Sequence, residues 1–488
     1  MIRFIFKNAA LYTIANQIPM FANLLLLPII STYLTKEDYY VFGTVLAYGS
    51  VISVMSNFGL IPSLQNAFFK ERENFSKRYG DLMYFLLRYR IVYTVVLALV
   101  ILVFFRDELP LPRLLLIIFL YSFPMMFLEL YKTVGMRYYM FNQRHGEVHS
   151  ITVISGILTV VTTFVTVYVL ELHYVGWFIS LFVGNTFQGL YFRYKLKVKE
   201  QLLAAHSPDK DYLKACIKFG LPTIPHNYSS YLLNTADRLV LDQYKGVGSV
   251  STGDIGLYNV AYGFASYFDN LNGQVNNVVS PIYFNLFAKA DSNANHVVRN
   301  LTFVWLTLNL ALAFVLALWS KEIFSLLYFN NTDGLADAYK YSVFLFMAFV
   351  YKPMYVAAVD RAIFNERTMS LLKISFAAGV LNVVLNIALV PFFGVQAAIL
   401  ATFVAYMYQG FSGHYFKDFK RFSPLNYYPT LLLLLITALS VSAYFLCETS
   451  VLVKAIITLT VGLLLVVIYL VWGKTVLKQL NSTRIHGQ

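Results

Sequence analysis

Fourteen stretches of about 20 mainly apolar residues follow one another along this chain of 488 residues. An α-helix of about that length crosses the hydrocarbon core of a bilayer, so each stretch predicts a transmembrane helix. Composition agrees, because 58% of the residues are hydrophobic and 13% are charged, whereas about a quarter of a soluble domain is charged. The approximate spans are 10–32, 40–61, 82–104, 113–131, 150–170, 174–192, 216–236, 256–281, 299–319, 340–359, 370–390, 395–412, 428–447 and 451–472. We therefore expect an all-α integral membrane protein.

The distribution of Lys and Arg predicts the orientation of these helices, because loops rich in them stay in the cytoplasm. With the amino terminus inside, the predicted cytoplasmic segments carry 27 Lys and Arg residues and the outer loops carry 8. Both termini are therefore expected to be cytoplasmic. The same asymmetry accounts for most of the net charge of +13, so no nucleic-acid partner is needed to explain it.

The chain contains an internal repeat. FNQR at Phe141–Arg144 returns as FNER at Phe364–Arg367, and at the same offset of 223 residues GILTVVTTF meets GVLNVVLNI. FVGNTFQG then aligns with FVAYMYQG, so the repeat pairs predicted helices 5 and 6 with 11 and 12. A shift by an even number of helices preserves their direction across the membrane. The pattern predicts two parallel-repeat six-helix lobes, an arrangement that some alternating-access transporters use.

The repeat also predicts the division of the chain. The two six-helix lobes are expected at 1–192 and 215–412, joined by a basic cytoplasmic linker at 193–214. Residues 413–488 are expected to form two additional transmembrane helices and a cytoplasmic tail.

Polar residues crowd the inner half of predicted helix 8, which reads YFDNLNGQVNNVV. Such residues are costly in lipid and usually face protein or water, so they predict a cavity for a hydroxyl-rich solute. Nearby tyrosines suit sugar rings, because each offers a flat apolar face and a hydroxyl. Hydrogen bonds between helices and a tyrosine belt at the membrane interface are the structural alternatives. The candidate glycan-lining residues are Asp269, Asn270, Asn272, Gln274, Asn277, Asn227 and Tyr231.

Three cations inside predicted helices are candidates for binding a substrate diphosphate. Lys352 lies deep in helix 10, where an unpaired ammonium is costly, so a phosphate or an unidentified carboxylate is its expected partner. Arg88 and Arg90 enter helix 3 from the cytoplasmic side, where they either contact a diphosphate or extend to the membrane surface. Glu129 and Lys132, three residues apart, are expected to form a local pair.

FGLPTIPHNYSSYLLNTADRLVL, followed by DIGLYNVAYGFAS, resembles the polysaccharide transporter family of the MATE-like exporter superfamily, which includes Wzx-type O-antigen flippases. NVVLNIALVPFFGVQAAILAT, in predicted helices 11 and 12, is similar to the same family. The resemblance implies alternating-access translocation of a polyprenyl (undecaprenyl)-diphosphate-linked oligosaccharide to the outer leaflet of the bacterial inner membrane. The glycan would serve surface polysaccharide biosynthesis, as O-antigen of lipopolysaccharide or as capsule. A polysaccharide polymerase and a chain-length regulator are candidate partners.

The resemblance also implies a cation site. Related lipid II flippases hold sodium between helices 7, 11 and 12, and the matching residues are Asp237, Asn382, Asn386 and Thr402. An asparagine stands at 386 where those relatives have a carboxylate, which leaves Asp237 as the one anion. No cofactor is expected beyond coupling to Na⁺ or H⁺.

Two other function classes share part of the pattern. A drug or metabolite cation antiporter of the same superfamily would have the same fold but an acidic cavity, whereas Lys352 favours a phosphate-bearing substrate. A membrane-embedded glycosyltransferase or polymerase would use acidic residues such as Glu37 and Asp38, which are more typical of a solvated turn. Such enzymes usually need a large outer domain, but no predicted outer loop exceeds about twenty residues. We expect a transporter without catalytic activity.

Overall fold

Helices make up nearly all of the structure. The computed structural model describes residues 17–221, 223–248, 250–288, 292–365 and 367–473, and no strand occurs within these ranges. The helices are α1 (Gln17–Tyr33), α2 (Lys36–Ser53), α3 (Ile61–Lys70), α4 (Phe75–Phe105), α5 (Leu111–Met126), α6 (Leu128–Phe141), α7 (His145–Thr163), α8 (His173–Tyr194), α9 (Lys210–Gly220), α10 (Thr223–Gln243), α11 (Thr252–Ala288), α12 (Ser292–Leu318), α13 (Ser320–Leu327), α14 (Tyr339–Ala348), α15 (Lys352–Phe364), α16 (Thr368–Leu371), α17 (Ala377–Phe411), α18 (Lys417–Phe422), α19 (Pro429–Leu446) and α20 (Val451–Ile468).

The predicted all-α membrane architecture is confirmed. Among the described residues, eight helical segments are long and apolar enough to cross a membrane, and they contain nine of the expected spans. The other five expected spans coincide with α1, α2, α8, α10 and α11, which are shorter or more polar. The amino-terminal part of the first expected span, residues 10–16, lies outside the described residues.

The chain divides into two compact units. Unit 1 runs to Tyr231 and includes the short segment Asn330–Asp333. Unit 2 comprises Leu232–Phe329 and the chain from Gly334 onward. In unit 1, α8 packs against α6 and α7, and α4 packs against α5. In unit 2, α14 is central and packs against α11, α12, α17 and α19.

The same close helix contact occurs in both copies of the predicted repeat. A Cβ atom on Gly189 of α8 would lie 2.5 Å from Cβ of Leu128, the first residue of α6. A Cβ atom on Gly410 of α17 would lie 2.8 Å from Cβ of Tyr351, just before α15. Only glycine fits such contacts, so the Gln-Gly dipeptide that the repeat preserves is explained by packing. The internal repeat is confirmed as a structural one.

Predicted helix 2 is not continuous. α2 ends at Ser53 and α3 begins at Ile61, and between them Phe58 and Gly59 have φ values of 49° and 66°. A right-handed helix cannot continue through such residues, and hydropathy does not report them. Predicted helices 11 and 12 fall within one helical segment, Met369–Tyr415. Its main part, α17, is kinked at Gly394 with φ 58° and ψ −140°, a conformation that suits glycine.

Asp38 is a structural capping residue. Its carboxylate accepts hydrogen bonds from the Thr35 N–H at 2.7 Å and from the Tyr174 N–H at 3.0 Å. Together with Thr35 it forms a capping box that starts α2 at Lys36, four residues earlier than predicted. Asp38 is buried, so its interpretation as part of a solvated turn is wrong.

The basic segment 193–214, predicted as a linker, packs on α4 within unit 1. Ala205 N–H donates to the Gly80 carbonyl at 2.9 Å, and Asp209 N–H donates to Asp81 Oδ1 at 3.1 Å. Asp209 also caps α9 by accepting from the Tyr212 N–H. This part of the segment is therefore ordered by backbone hydrogen bonds.

A buried ion pair attaches α20 to α13. Lys454 Nζ lies 2.8 Å from both carboxylate oxygens of Glu322 and 2.6 Å from the Cys447 carbonyl oxygen. The Lys454 side chain has no exposed surface, whereas 32% of the Glu322 side chain is exposed. An ammonium buried in this way depends on its partner for its stability.

We expect Glu322→Gln to lower the free energy of unfolding by about 3 kcal/mol or more, because it leaves the buried ammonium of Lys454 without a counter-ion. Lys454→Met should cost less, because the Glu322 carboxylate that remains reaches solvent. The double variant should recover part of the loss. Thermal unfolding of the detergent-purified full chain measures these differences.

The neighbouring pair Lys321–Glu448 provides the matched control. Its atoms are also 2.8 Å apart, but 43% and 49% of the two side chains are exposed. Lys321→Met should therefore change the unfolding free energy by about 1 kcal/mol or less. An equal cost for Lys321→Met and Glu322→Gln would contradict the assignment of Lys454–Glu322 as the structural pair.

Candidate functional site

The deep lysine of predicted helix 10 has a carboxylate partner. Lys352, the first residue of α15, donates from Nζ to Asp269 Oδ1 of α11 at 2.7 Å. Both side chains keep some exposed surface, 16% for Lys352 and 26% for Asp269. Of the two partners expected for Lys352, the structure contains the carboxylate and identifies it. Asp269, predicted to line a glycan cavity, therefore forms an ion pair with Lys352.

Asn272 satisfies a backbone carbonyl that proline leaves free. Pro353 has no N–H, so the Phe349 carbonyl lacks the hydrogen-bond donor that a regular helix would supply. The side-chain amides of Asn272 and Asn309 lie 3.5 Å and 3.4 Å from this oxygen and donate to it. Asn272 is therefore structural in this arrangement, as the hydrogen-bonding alternative predicted. Asn309 was missed, because nothing in the sequence connects it with the break 40 residues away.

The remaining candidates on α11 differ in accessibility. Asn270 and Asn277 are exposed and Gln274 is half-buried. Tyr231 on α10 is also half-buried and lies in unit 1. The side chain of Asn227 lies outside those that the structure describes.

Arg90 serves in unit 1 the role that Asn272 serves in unit 2. Predicted helix 4 breaks at Phe127, between α5 and α6, which frees carbonyl groups of the preceding turn. Arg90 donates to the Met125 carbonyl at 2.9 Å and to Asn57 Oδ1 at 2.7 Å. Its side chain has no exposed surface. Its Nε atom is buried without a hydrogen-bond partner among the described residues.

Arg88 lies on a different face of α4. It is exposed, donates to the Tyr84 carbonyl at 3.1 Å and stacks on the Tyr84 ring at 3.5 Å from the centroid. The two arginines are therefore not brought together, although they are two residues apart in the sequence.

A polar cavity lies within unit 1. It has a volume of about 510 Å³, and Arg90, Tyr231 and Glu129 are among the residues that line it. Glu129 pairs with Lys132, with Oε2 and Nζ 3.4 Å apart, which confirms the predicted local pair. Ser50, Ser53 and Ser56 also line this cavity. Ser50 and Ser53 lie one turn apart on one side of α2, and this spacing was the signal that sequence reasoning missed.

Asp237 and Thr402, predicted as parts of one cation site, are in contact. Thr402 Oγ1 donates to Asp237 Oδ2 at 3.3 Å, and the Tyr258 hydroxyl donates to the same oxygen. The Arg238 N–H donates to Asp237 Oδ1 at 2.8 Å, while the Arg238 guanidinium stacks over the Tyr262 ring at 4.1 Å. Asp237 and Thr402 have no exposed surface. Tyr258 of α11 is thus a direct partner of this carboxylate.

Asn382 and Asn386 form a second hydrogen-bonded pair. Asn386 Nδ2 donates to Asn382 Oδ1 at 2.9 Å, and Asn382 Nδ2 donates to the Leu233 carbonyl of α10 at 3.0 Å. Both asparagines have no exposed surface. The Oδ1 atom of Asn386 accepts no hydrogen bond from the part of the chain that the structure describes. The pair therefore contributes an unused oxygen acceptor near the turn that precedes Asp237.

The chain resembles known proteins both in sequence and in structure. The family described as "Polysaccharide biosynthesis protein" matches residues 5–287. The lipid II flippase MurJ, in an inward closed conformation, is similar in structure with a TM-score of 0.64 and 15% identity, over 90% of this chain and 98% of that one. An inward-facing multidrug resistance MATE family transporter of the MOP superfamily has a TM-score of 0.63 and 14% identity, over 84% and 98% of the two chains. Comparison with curated proteins gives no match. At these identities the solved structures establish a shared transporter fold.

We expect Tyr258→Phe to lower the free energy of unfolding by about 1.5–3 kcal/mol, the usual contribution of a hydrogen bond to a charged group. The buried Asp237 carboxylate would lose one of its few donors. Thermal unfolding of the purified full chain measures the change. Tyr408→Phe is the matched control, because the hydrogen bond from Tyr408 to the Lys373 carbonyl is long, at 3.3 Å, and lies at the protein surface. Equal stability of Tyr258→Phe and wild type would contradict the role of Tyr258 as a partner of a charged carboxylate.

Proposed function

Since the chain belongs to the family of polysaccharide biosynthesis proteins, we propose that it is a flippase for a polyprenyl-diphosphate-linked oligosaccharide. The observation that carries this proposal is the ion pair Lys352–Asp269, a partly exposed ammonium in an otherwise apolar helical protein. Intramembrane charges of this kind usually mark a substrate or ion pathway. The transporter fold supports alternating access as the mechanism.

In the proposed mechanism the diphosphate displaces Asp269 from Lys352. A diphosphate carries more negative charge than a single carboxylate and offers more acceptor oxygens, so it competes for the ammonium. Lys352 then keeps an anionic partner throughout the cycle, which avoids the cost of an unpaired buried charge. Arg88 is exposed and its long side chain lets it reach headgroup phosphate. Arg90, whose donors bind Met125 and Asn57, contributes positive potential.

The glycan is proposed to follow the polar side of α11, while the prenyl chain stays in lipid. Asn270, Gln274 and Asn277 keep accessible amide groups, which both donate and accept hydrogen bonds. Sugar hydroxyls have the same dual character, so these positions suit them. Translocation needs no covalent step, and none is proposed.

A monovalent cation is proposed to bind at Asp237. Asp237 and Thr402 supply oxygen atoms that are in contact with each other. Asn386 has a carbonyl oxygen that accepts no hydrogen bond from the described residues. Oxygen ligands of this type suit Na⁺, whereas a proton would bind the carboxylate directly. Movement of one such charge down a potential of 100 mV would contribute about 2.3 kcal/mol per cycle.

The proposed setting is the bacterial inner membrane with both termini in the cytoplasm. There the flipped oligosaccharide would be passed to a polymerase and a chain-length regulator for O-antigen or capsule assembly. The competing proposal is export of a cationic drug or metabolite, which the likeness in fold to a multidrug resistance transporter supports. The two differ in the role of Lys352, because a cationic substrate gains nothing from an ammonium.

We expect Lys352→Met to slow flipping of a fluorescent polyprenyl-diphosphate oligosaccharide by about 30-fold or more, since loss of a buried charge partner costs about 2–5 kcal/mol. Flipping is measured in proteoliposomes with a membrane-impermeant quencher. Asp269→Asn should bind the lipid more tightly than wild type, because it removes the competitor for Lys352. Lys340→Met, which changes an exposed lysine of α14, is the control and should flip normally. Normal flipping by well-folded Lys352→Met protein would remove the diphosphate anchor from the mechanism.

We also expect Na⁺ to raise the melting temperature of the wild-type protein more than K⁺ does at equal concentration. Ligand binding to the folded state stabilises it by about 2.7 kcal/mol at 100 times Kd. Asp237→Asn should abolish the difference between the two ions. Asp337→Asn, an exposed acid of unit 2, should keep it. A Na⁺ effect that survives in Asp237→Asn would show that the cation binds elsewhere.

A further inference from the structure

The cavity of unit 1 has the size and the walls of a ligand site. Its volume of about 510 Å³ falls within the range of about 300–1,000 Å³ that small-molecule sites occupy. Residues from α2, α4, α5, α6 and α10 surround it. Most of the polar side chains in this cavity carry hydroxyl groups, and one carries a carboxylate. By contrast, amides predominate among the polar side chains of α11 in the stretch YFDNLNGQVNNVV.

Several hydrogen-bond donors of this wall are already used inside the protein. Ser53 Oγ donates to the Ser50 carbonyl at 2.6 Å, and Ser50 Oγ donates to the Ala47 carbonyl at 2.8 Å. Each hydroxyl has only one proton, so the Ser53 oxygen can only accept from a ligand. Asn57 accepts from Arg90 through Oδ1 and is held in place by this bond. On α2, the serine oxygens therefore remain as acceptors.

The two charged residues that line the cavity differ in accessibility. Arg90 has no exposed surface and donates hydrogen bonds to Met125 and Asn57. Glu129 keeps 23% of its side chain exposed, and its partner Lys132 also donates to Asn185 Oδ1 at 3.0 Å. The accessible charged group of the wall is therefore the Glu129 carboxylate, which accepts hydrogen bonds from O–H or N–H groups.

Aromatic rings complete the wall. Tyr93, Tyr121 and Tyr231 all contribute to the cavity. A flat ring face beside polar groups suits the apolar face of a sugar. The Tyr121 ring fits against α2 because Gly49 has no side chain, since a Cβ atom there would lie 2.1 Å from the Tyr121 hydroxyl.

We propose that this cavity is a saccharide subsite that selects a neutral, hydroxyl-rich sugar unit, and that Glu129 is the residue that sets the selection. The inference rests on the proposed function. One sugar unit of the proposed substrate donates hydrogen bonds to the acceptors of this cavity. A uronic acid at the same position meets the Glu129 carboxylate with a like charge and is rejected.

Three soluble analogues test this subsite with the purified full chain. They are farnesyl diphosphate, farnesyl diphosphate linked to glucose, and the same compound with glucuronic acid, which differs from glucose only by a carboxylate at C6. Dissociation constants are measured by intrinsic tryptophan fluorescence. Wild type should bind the glucose compound about tenfold or more tightly than the other two, which corresponds to about 1.4 kcal/mol.

Glu129→Gln should reduce the preference for glucose over glucuronic acid to about threefold or less, because the like charge is gone. It should leave the affinity for farnesyl diphosphate unchanged. Glu37→Gln, an exposed acid on α2, should behave as wild type. If Glu129→Gln does not fold, Ser53→Ala removes an acceptor without touching the Glu129–Lys132 pair and should weaken binding of the glucose compound alone.

The outcomes separate the two proposals. Equal binding of all three analogues by wild type, or an unchanged preference in Glu129→Gln and Ser53→Ala, would overturn the saccharide subsite and leave the flippase proposal standing. Failure of wild type to bind any analogue would overturn the proposed function itself. Loss of binding to all three analogues in Lys352→Met, with the sugar preference intact in wild type, would support both.

Discussion

Every backbone carbonyl that a broken helix frees inside a membrane needs a donor from the protein, because the hydrocarbon core supplies no water. This constraint fixes the centre of both units. In unit 2, Pro353 leaves the Phe349 carbonyl free, and the amides of Asn272 and Asn309 donate to it. In unit 1 the break before α6 leaves the Met125 carbonyl free, and Arg90 donates to it. The side chains that donate to these carbonyls are not available to a ligand, so the breaks determine which polar groups remain for one.

The charged residues of the structure differ in how firmly their partners hold them. Lys454 is buried, and its ammonium donates to three oxygen atoms, so its contact with Glu322 is a structural ion pair. Lys352 makes one such bond, to Asp269, and both side chains keep accessible surface. An ion pair of the second kind can exchange its anion at small cost, whereas the first cannot. Exposure and the number of partners therefore separate a structural cation from a candidate binding cation, although both look equally anomalous in an apolar sequence.

The sequence was sufficient to predict the helical membrane architecture and the repeat, because segment length and hydropathy are local properties. The interruption after Ser53 was not predictable in this way, since it depends on the positive φ of two residues and leaves the apolar composition unchanged. Glu129–Lys132 could be predicted because one helical turn joins the two side chains. The partner of Lys352 lies 83 residues away, and helix packing decides which carboxylate reaches it. Contact between Asp237 and Thr402 was expected only from resemblance to a family, for the same reason.

The two copies of the repeat keep their packing and differ in their polar contents. Gln188 donates to Ser155 at 2.5 Å in unit 1, but the position equivalent to Ser155 in the second copy is Ala378. The Oε1 atom of the corresponding Gln409 is buried without a partner among the described residues. Packing needs only small residues at the close contacts, so the polar positions were free to diverge while Gly189 and Gly410 kept theirs. Unit 1 surrounds its cavity with hydroxyls and a carboxylate, and unit 2 holds a partly exposed ammonium beside Asp269. Divergence of the two copies therefore gave the chain two polar environments where an exact repeat would have only one.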